Sequence, residues 1–454
     1  MPKLKLSKKV KSKNIFYLLM IFLFMSILVR GNGMTNANSR FATMQAMSDS
    51  FSFKIDDYKD WTVDWSYIDG HYYSNKAPGP ALLGFPIYFL ITKIRSKFNE
   101  KANKVPPTSS VRSSLNLLIQ VLPIFLILFL FMNNLLKDNP NFEFSGYLGI
   151  LLLLFGNTTS LFYNSYFGHG MAAVFTFLMA FFLYKKEYVY LGLFFGLALL
   201  TDYSAGLFLV PLIFCIPRRG YLDFIKGGIL PGILWIFYHY NVTGSIFETP
   251  NKYINPLFKS DDKDLIWGAI STPKLNIIFE LLFGLKRGLL ITQPWVLMAI
   301  LLLLKSIFSD EKKYIRVYVV SVLGFLLILL LNASFNGWHG GATSGPRYLC
   351  VALSPLCFSI ILLWSSLRKE FKALFLLLVI YSLLFRGLIY ATNSMASEDE
   401  TLLPYLLTYL AENGSFKQYL RIPIFLGLIL FSFVKNDFYK FAVTGKNKAP
   451  RTSS

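Results

Sequence analysis

The chain has 454 residues, of which 54% are hydrophobic and only 15% charged, and its formal net charge is +20. An ordinary soluble domain carries about 25% charged residues, so this balance excludes a water-soluble globular protein, and the excess of Lys and Arg is that of cytoplasmic loops rather than of a nucleic-acid surface. The three cysteines, Cys215, Cys350 and Cys357, lie in apolar segments without CxxC or CxxH spacing, which indicates neither a disulfide framework nor a zinc site.

The first apolar stretch, Ile15 to Val29, runs into Arg30 and Gly31 without the small-x-small pattern of a secretory cleavage site, and is expected to remain as a helix. Further helices are predicted over 80–94, 113–136, 146–164, 169–184, 188–216, 223–240, 290–306, 316–333, 347–364, 373–390 and 422–434. Apolar runs that cross a hydrocarbon core about 30 Å thick must satisfy their own backbone, which requires helices. Residues 157–169 (NTTSLFYNSYFGH) are polar and aromatic and resist this scheme, and the 188–216 helix carries a break signal at Thr201 and Asp202. No repeat of fixed period and no low-complexity tract is visible. The expected fold is therefore an all-α polytopic membrane protein with about twelve transmembrane helices, in a range of about ten to thirteen, forming a single integral membrane domain over 1–454.

Lys and Arg gather in the N-terminal KLKLSKKVKSK, in 93–112, at Arg218 and Arg219, Lys312 and Lys313, Arg368 and Lys369, and in the tail 435–454. Placing these in the cytoplasm orients the set with both termini inside. The loops 31–79, 241–289, 334–346 and 392–421 then lie outside, which suits a bacterial inner membrane.

The first of these loops packs Asp49, Asp56, Asp57, Asp60, Asp64 and Asp69 beside Arg40, His71, Lys76 and several aromatics, among them Tyr72 and Tyr73. It ends in Lys-Ala-Pro-Gly-Pro, a sharp lead-in to a helix, because proline suits the first helical turn and glycine lets backbones approach closely. Lys76 therefore sits near a helix N-terminus at the membrane surface. Two readings stand: a phosphate clamp, since helix N-termini bind anions and lysine is a compact point charge, or a snorkelling interfacial lysine.

The segment YYSNKAPGP resembles the Tyr-x-x-Lys-Pro-Pro element of polyprenyl-phosphate-sugar transferases such as lipid A aminoarabinose transferase. NSRFATMQAM is similar to the Asp-Glu-x-Arg-Tyr-Ala stretch of that family, with Arg40 and Phe41 at its Arg-Tyr. The family belongs, with the protein O-mannosyltransferases, to the membrane-embedded GT-C glycosyltransferases, and the likeness covers residues 30–90. It implies transfer, with inversion, of a sugar from a polyprenyl-phosphate donor to an extracytoplasmic acceptor that is a glycan, a lipid or a protein. Its acidic pair falls on Ala37 and Asn38, and the acid before its lysine on Asn75, so this chain departs from the family where the family keeps its carboxylates. The general base is then expected from Asp64 or Asp69, with Asp56 and Asp57 as further candidates; the competing reading is that these acids merely solvate the loop. No cofactor is expected. Some GT-C members use a divalent metal, and the missing acidic pair points away from one here.

Later segments add candidates. The 334–346 loop brings Trp338, His339 and Arg347 together among glycines, an aromatic and a polar group suited to a sugar and a guanidinium suited to a phosphate. In 241–289, Glu248 and Tyr253 are secondary candidates, and FELLFGLKRGLL, around Glu280, Lys286 and Arg287, reads as an interfacial helix. His169 and Asp202 are ionisable groups in or beside apolar runs, where a functional role competes with a helix-joining pair. The four histidines lie singly, without metal-ligand spacing. Rival classes are a transporter or flippase of lipid-linked sugars and a catalytically inactive GT-C relative; the former would carry inverted repeats, and none is seen.

Overall fold

Long apolar runs become helices as expected. The structure, a computed structural model, describes residues 8–29, 34–98, 106–163, 165–259, 269–309, 312–341, 343–392 and 401–413, and these are mostly helical. In chain order the helices begin with α1 (Lys8–Ile27), α2 (Thr35–Ser50), α3 (Gly79–Phe98), α4 (Ser109–Asn116), α5 (Leu122–Asp138), α6 (Glu143–Leu154) and α7 (Gly168–Lys185). They continue with α8 (Tyr188–Thr201), α9 (Leu209–Cys215), α10 (Tyr221–Thr243), α11 (Leu275–Phe283), α12 (Leu289–Thr292) and α13 (Trp295–Ile307). The last are α14 (Ile315–Ser334), α15 (Cys350–Leu363), α16 (Lys369–Thr392) and α17 (Leu402–Asn413).

Six of the described helical segments are long and apolar enough to cross a membrane: Ser109–Asp138, Gly168–Lys185, Arg218–Thr243, Ile315–Ser334, Arg347–Ser366 and Lys369–Tyr390. The chain is thus a helical integral membrane protein. The exterior of α10 bears Leu222, Ile225, Ile229, Leu230, Ile233, Ile236 and Phe237, all exposed, a pattern that a hydrocarbon surround explains and water does not. α7 is its opposite, buried on almost every face.

Several expected elements differ. The helix predicted over 146–164 stops at Leu154: the Asn157 amide donates to the Leu152 and Leu153 carbonyls and its oxygen accepts from Thr159 N, so a short 3₁₀ turn, Thr158–Leu161, replaces the last turns. The 188–216 helix breaks at Asp202, whose side chain accepts from Ser204 N and restarts the chain as 3₁₀ turn and α9. The 290–306 helix is divided between α12 and α13 by Gln293 and Pro294. The segment expected as an interfacial helix is helical as α11, but Lys286 and Arg287 fall beyond it, and Arg287 is buried, donating to the carbonyls of His339 and Gly341. Between α4 and α5, Leu117–Val121 makes a wide π turn that aims the Gln120 amide at the Phe162 carbonyl, 2.7 Å away. The 422–434 helix and the 435–454 tail lie outside the described residues, as does most of the 392–421 loop.

The first loop is far from irregular. It holds α2, whose residues are largely buried, and a hairpin of β1 (Trp65–Ile68) and β2 (His71–Ser74), paired antiparallel with Trp65 opposite Ser74 and Ile68 opposite His71. Asp69 and Gly70, at φ 48° and 85°, form the two-residue turn, the left-handed pair that matches strand twist. Ser66, Ile68 and Tyr73 face inward, Tyr73 against Tyr238 of α10, while Trp65, Tyr67 and Tyr72 stack on the outer face.

The α8–α10 crossing depends on missing side chains. A Cβ at Gly192 would collide with the Phe224 carbonyl, and one at Gly227 with the Val189 carbonyl; close approach of this kind is how small residues hold membrane helices together. Gly192→Val is therefore expected to cost about 1–3 kcal/mol as overpacking and to lower the melting temperature in detergent. Gly228→Ala, whose nearest neighbour atom is 3.9 Å away, should leave it unchanged.

Candidate functional site

Both ends of the hairpin are fastened to one residue of α2. Ser39 Oγ donates to the Asp64 carbonyl at 2.6 Å and, its single proton spent, accepts from Ser74 Oγ at 2.6 Å. Thr62 Oγ1 donates to the Thr35 carbonyl at 2.7 Å and the Asn38 amide to the Trp61 carbonyl at 2.8 Å. This seam brings the residue preceding β1 and the last residue of β2 against α2, one position before Arg40. Lys76 thereby reaches Asp64, Nζ to Oδ1 at 2.8 Å.

Arg40, only 5% exposed, donates through Nη1 to the Asn36 carbonyl at 2.9 Å and also to the Asn36 amide oxygen. Its other arm fits because Gly168 opens α7: a Cβ there would lie 2.9 Å from Arg40 Nη2 and 2.7 Å from the Thr201 carbonyl. Gly79 allows the same closeness between the starts of α3 and the end of α8, with Thr201 Oγ1 at 2.6 Å from its Cβ position. Arg347 arrives from the other side, at the lead-in to α15. Its guanidinium lies 5.0 Å from the Tyr348 ring and donates to the Tyr348 hydroxyl at 3.1 Å. It rests on Gly340, whose φ of +74° and missing Cβ leave room for Arg347 Nε. The Nε atoms of both Arg40 and Arg347 are buried without a hydrogen-bond partner among the described residues, and so are both amide atoms of Asn75.

His169 and Asp202 close the group. His169 Nδ1 donates to Asp202 Oδ2 at 2.7 Å, and Asp202 Oδ1 accepts from Ser204 N at 3.1 Å and Ser204 Oγ at 2.8 Å. Arg40 feels the charges of Asp64, Asp202 and Arg347, and Lys76 those of Asp64 and Arg347. Three cations face two carboxylates, so the cluster carries one positive charge in excess while His169 is neutral. It lies where the first turns of α3, α7 and α15 meet the last of α8.

The electrostatics outside the spanning segments fit this picture. Burial pushes the Arg40 guanidinium down to about 10. Burial also lowers the Lys76 ammonium, against the opposing pull of Asp64. Burial pushes the Asp64 carboxyl up, but Lys76, a hydrogen bond from Thr35 and the charge of Arg347 outweigh it and hold the carboxyl below the usual aspartate range. A carboxyl whose folded pKa is depressed contributes stability that is complete above the unfolded value, about 3.9, and is lost as pH falls through the folded value. Comparing wild type with the Asp64→Asn, Lys76→Met double variant, the stability difference should hold constant from pH 7 to about pH 4 and shrink only below it, as read from melting temperatures across that range.

The other expected site residues divide. Asp69 is exposed at the hairpin tip, and a strand of four residues, about 13 Å at 3.3 Å per residue, separates it from the end that carries Asp64 and Lys76. Asp56 accepts from Tyr72 N at 2.7 Å and His71 Nδ1 at 2.8 Å, which ties the preceding 3₁₀ turn to β2, and Asp57 is exposed. Tyr73 is buried in packing and Tyr72 belongs to the outer aromatic face. Trp338 and His339 share the Arg347 loop, where His339 Nδ1 accepts from Gly341 N at 3.0 Å. Glu248 pairs locally with Lys252 at 2.5 Å and Tyr253 at 2.8 Å.

Sequence reasoning missed Tyr348, the buried Asn75 amide as part of the cluster, and Arg386. Arg386, fully buried in α16, donates to the Ser344 carbonyl at 2.7 Å and to Thr158 Oγ1 at 3.1 Å, holding the loop that carries Arg347. An arginine inside the apolar run YSLLFRGLIY was the available signal. Among the described residues no three of His, Cys, Asp and Glu converge as metal ligands. Comparison with protein-family models, curated proteins and solved structures finds no match to this chain.

Proposed function

We propose that this chain is a membrane glycosyltransferase of the GT-C type, which takes a sugar from a polyprenyl-phosphate donor and transfers it, with inversion, to an acceptor on the outer side of a bacterial inner membrane. The observation that carries the reading is that Lys76, Arg40 and Arg347 all act on Asp64, while the two guanidinium Nε atoms are buried without a partner among the described residues. Buried donors without partners are costly, and a phosphate oxygen satisfies them. The donor is a phosphodiester with a single negative charge, which equals the excess charge of the cluster. When the sugar leaves, the phosphate gains charge, and cations already in place stabilise it without protonation. In this reading Asp64 orients Lys76, the termini are cytoplasmic, and the shorter apolar helices, such as Gly79–Ile94 and Trp295–Ile307, bring the spans to about twelve.

The breaks at Asp202 and at Gln293–Pro294 favour a second reading, a flippase of lipid-linked sugars, because interrupted helices line transport paths. One experiment separates the two. Purified protein in nanodiscs is offered labelled polyprenyl-phosphate sugars with total envelope extract. Transfer of label to an acceptor is the expected result; binding of the lipid with no transfer from any donor overturns the transferase.

A further inference from the structure

A transferase of this kind needs a base for the acceptor hydroxyl, and the resemblance would take it from Asp64 or Asp69. Asp64 is committed elsewhere: Lys76 donates to Oδ1 at 2.8 Å and the side chain is largely enclosed. Asp69 stands at the exposed hairpin tip. The buried pair on the other side of Arg40 has the geometry that Asp64 lacks. A carboxylate only accepts hydrogen bonds, so the proton shared at 2.7 Å belongs to His169 Nδ1 and the neutral ring keeps a bare lone pair on Nε2. Nε2 has no hydrogen-bond partner among the described residues, and the His169 side chain is 14% exposed, enough to be reached. Asp202 is itself fixed by two bonds from Ser204, and the ring is walled by Phe162 at 5.3 Å and Tyr348 at 6.0 Å. Tyr348 is the residue that seats Arg347, so the ring and the cationic clamp share a wall.

We infer that His169, oriented by Asp202, is the general base that deprotonates the acceptor; the inference rests on the transferase reading above. As the acceptor oxygen forms its bond to the anomeric carbon, its proton passes to His169 Nε2. The bond from the anomeric carbon to the phosphate oxygen breaks and its electron pair stays on the phosphate, held by Lys76, Arg40 and Arg347. Asp202 stabilises the imidazolium, which later returns its proton to water. A histidine held by a carboxylate is suited to such a step.

The test measures transfer at saturating donor and acceptor, and, separately, binding of polyprenyl phosphate in nanodiscs. His169→Gln should lose transfer by at least about 10²-fold while binding the lipid phosphate as wild type does, which also shows that it folds. Asp202→Asn should lose rate in the same direction with binding retained. Added imidazole should restore part of the rate to His169→Ala and none to Lys76→Ala. Undiminished transfer by His169→Gln overturns the inference, and so does a joint loss of binding and transfer, which would make the pair a clip between α7 and α8. Failure of imidazole rescue also counts against it. A wild type that binds the lipid but transfers nothing overturns the transferase reading and this inference with it, whereas an active His169→Gln leaves that reading standing.

Discussion

Lys76→Ala should lower transfer by about 10²–10³-fold, the scale on which removal of one preorganised donor at a developing charge is felt, and should weaken polyprenyl-phosphate binding as well. Two effects add. The phosphate loses the only ammonium in the described cluster, and Asp64, 6% exposed, is left as an unpaired buried carboxylate. Breaking a buried pair from one side costs about 3–5 kcal/mol, so this variant should also melt earlier. The Lys76→Met, Asp64→Asn double variant removes both charges and distinguishes the effects: its melting temperature should rise above that of Lys76→Ala while staying below wild type, and its lipid-phosphate binding should not recover. Wild-type binding by Lys76→Ala would remove the clamp from the proposed mechanism.

Arg386→Ala should be the most destabilising single change among the residues that do not touch the proposed donor. Its guanidinium joins three parts of the chain, donating to the Ser344 carbonyl, Thr158 Oγ1 and, at 3.4 Å, Thr292 Oγ1. Hydrogen bonds from a charged donor contribute about 1.5–3 kcal/mol each, and truncation adds a cavity. Against this stands the cost of burying a guanidinium that pairs with no carboxylate among the described residues. A net loss of about 3–5 kcal/mol is expected, with earlier proteolysis inside 334–346 and a fall in donor affinity, because Gly340 and Arg347 ride on that loop. Arg386→Met keeps most of the volume and removes the bonds. If it is as stable as wild type, the bonds offset only the burial of the charge, and the loop's position should be unaltered in its proteolysis pattern.

The helices were legible because an apolar run of sufficient length has few alternatives in a membrane, and the break at Thr201–Asp202 was legible because an acid cannot continue such a run without a partner. What escaped was local polar chemistry. Asn157 ends α6 with its own side chain, a competition that hydropathy does not register. The hairpin was written in the sequence as alternation from Trp65 to Ile68 followed by Asp69-Gly70, but the density of acids drew attention to charge rather than to period. Lys76, Arg40 and Arg347 could be read singly, since each stands at a helix lead-in or beside a family-like motif. The resemblance could assign them to one phosphate, but neither the contacts around them nor the pairing of His169 with Asp202 across 33 positions could be read, because these depend on the packing of α2, α3, α7 and α8 through Gly168 and Gly79.

The π turn at Leu117–Val121 gives the Ser109–Asp138 span a reserve of length. A wide turn absorbs one residue without rotating the segments on either side, so α4 and α5 keep their partners whether or not that residue is present. Elsewhere in the span a deletion would turn every following side chain by about 100° and strip α5 of its contacts. Here it would cost packing within the turn, where Ile119, Gln120 and Val121 are buried, and the Gln120 bond to Phe162, but both halves would stay in phase, which sets this turn apart from the rest of the span.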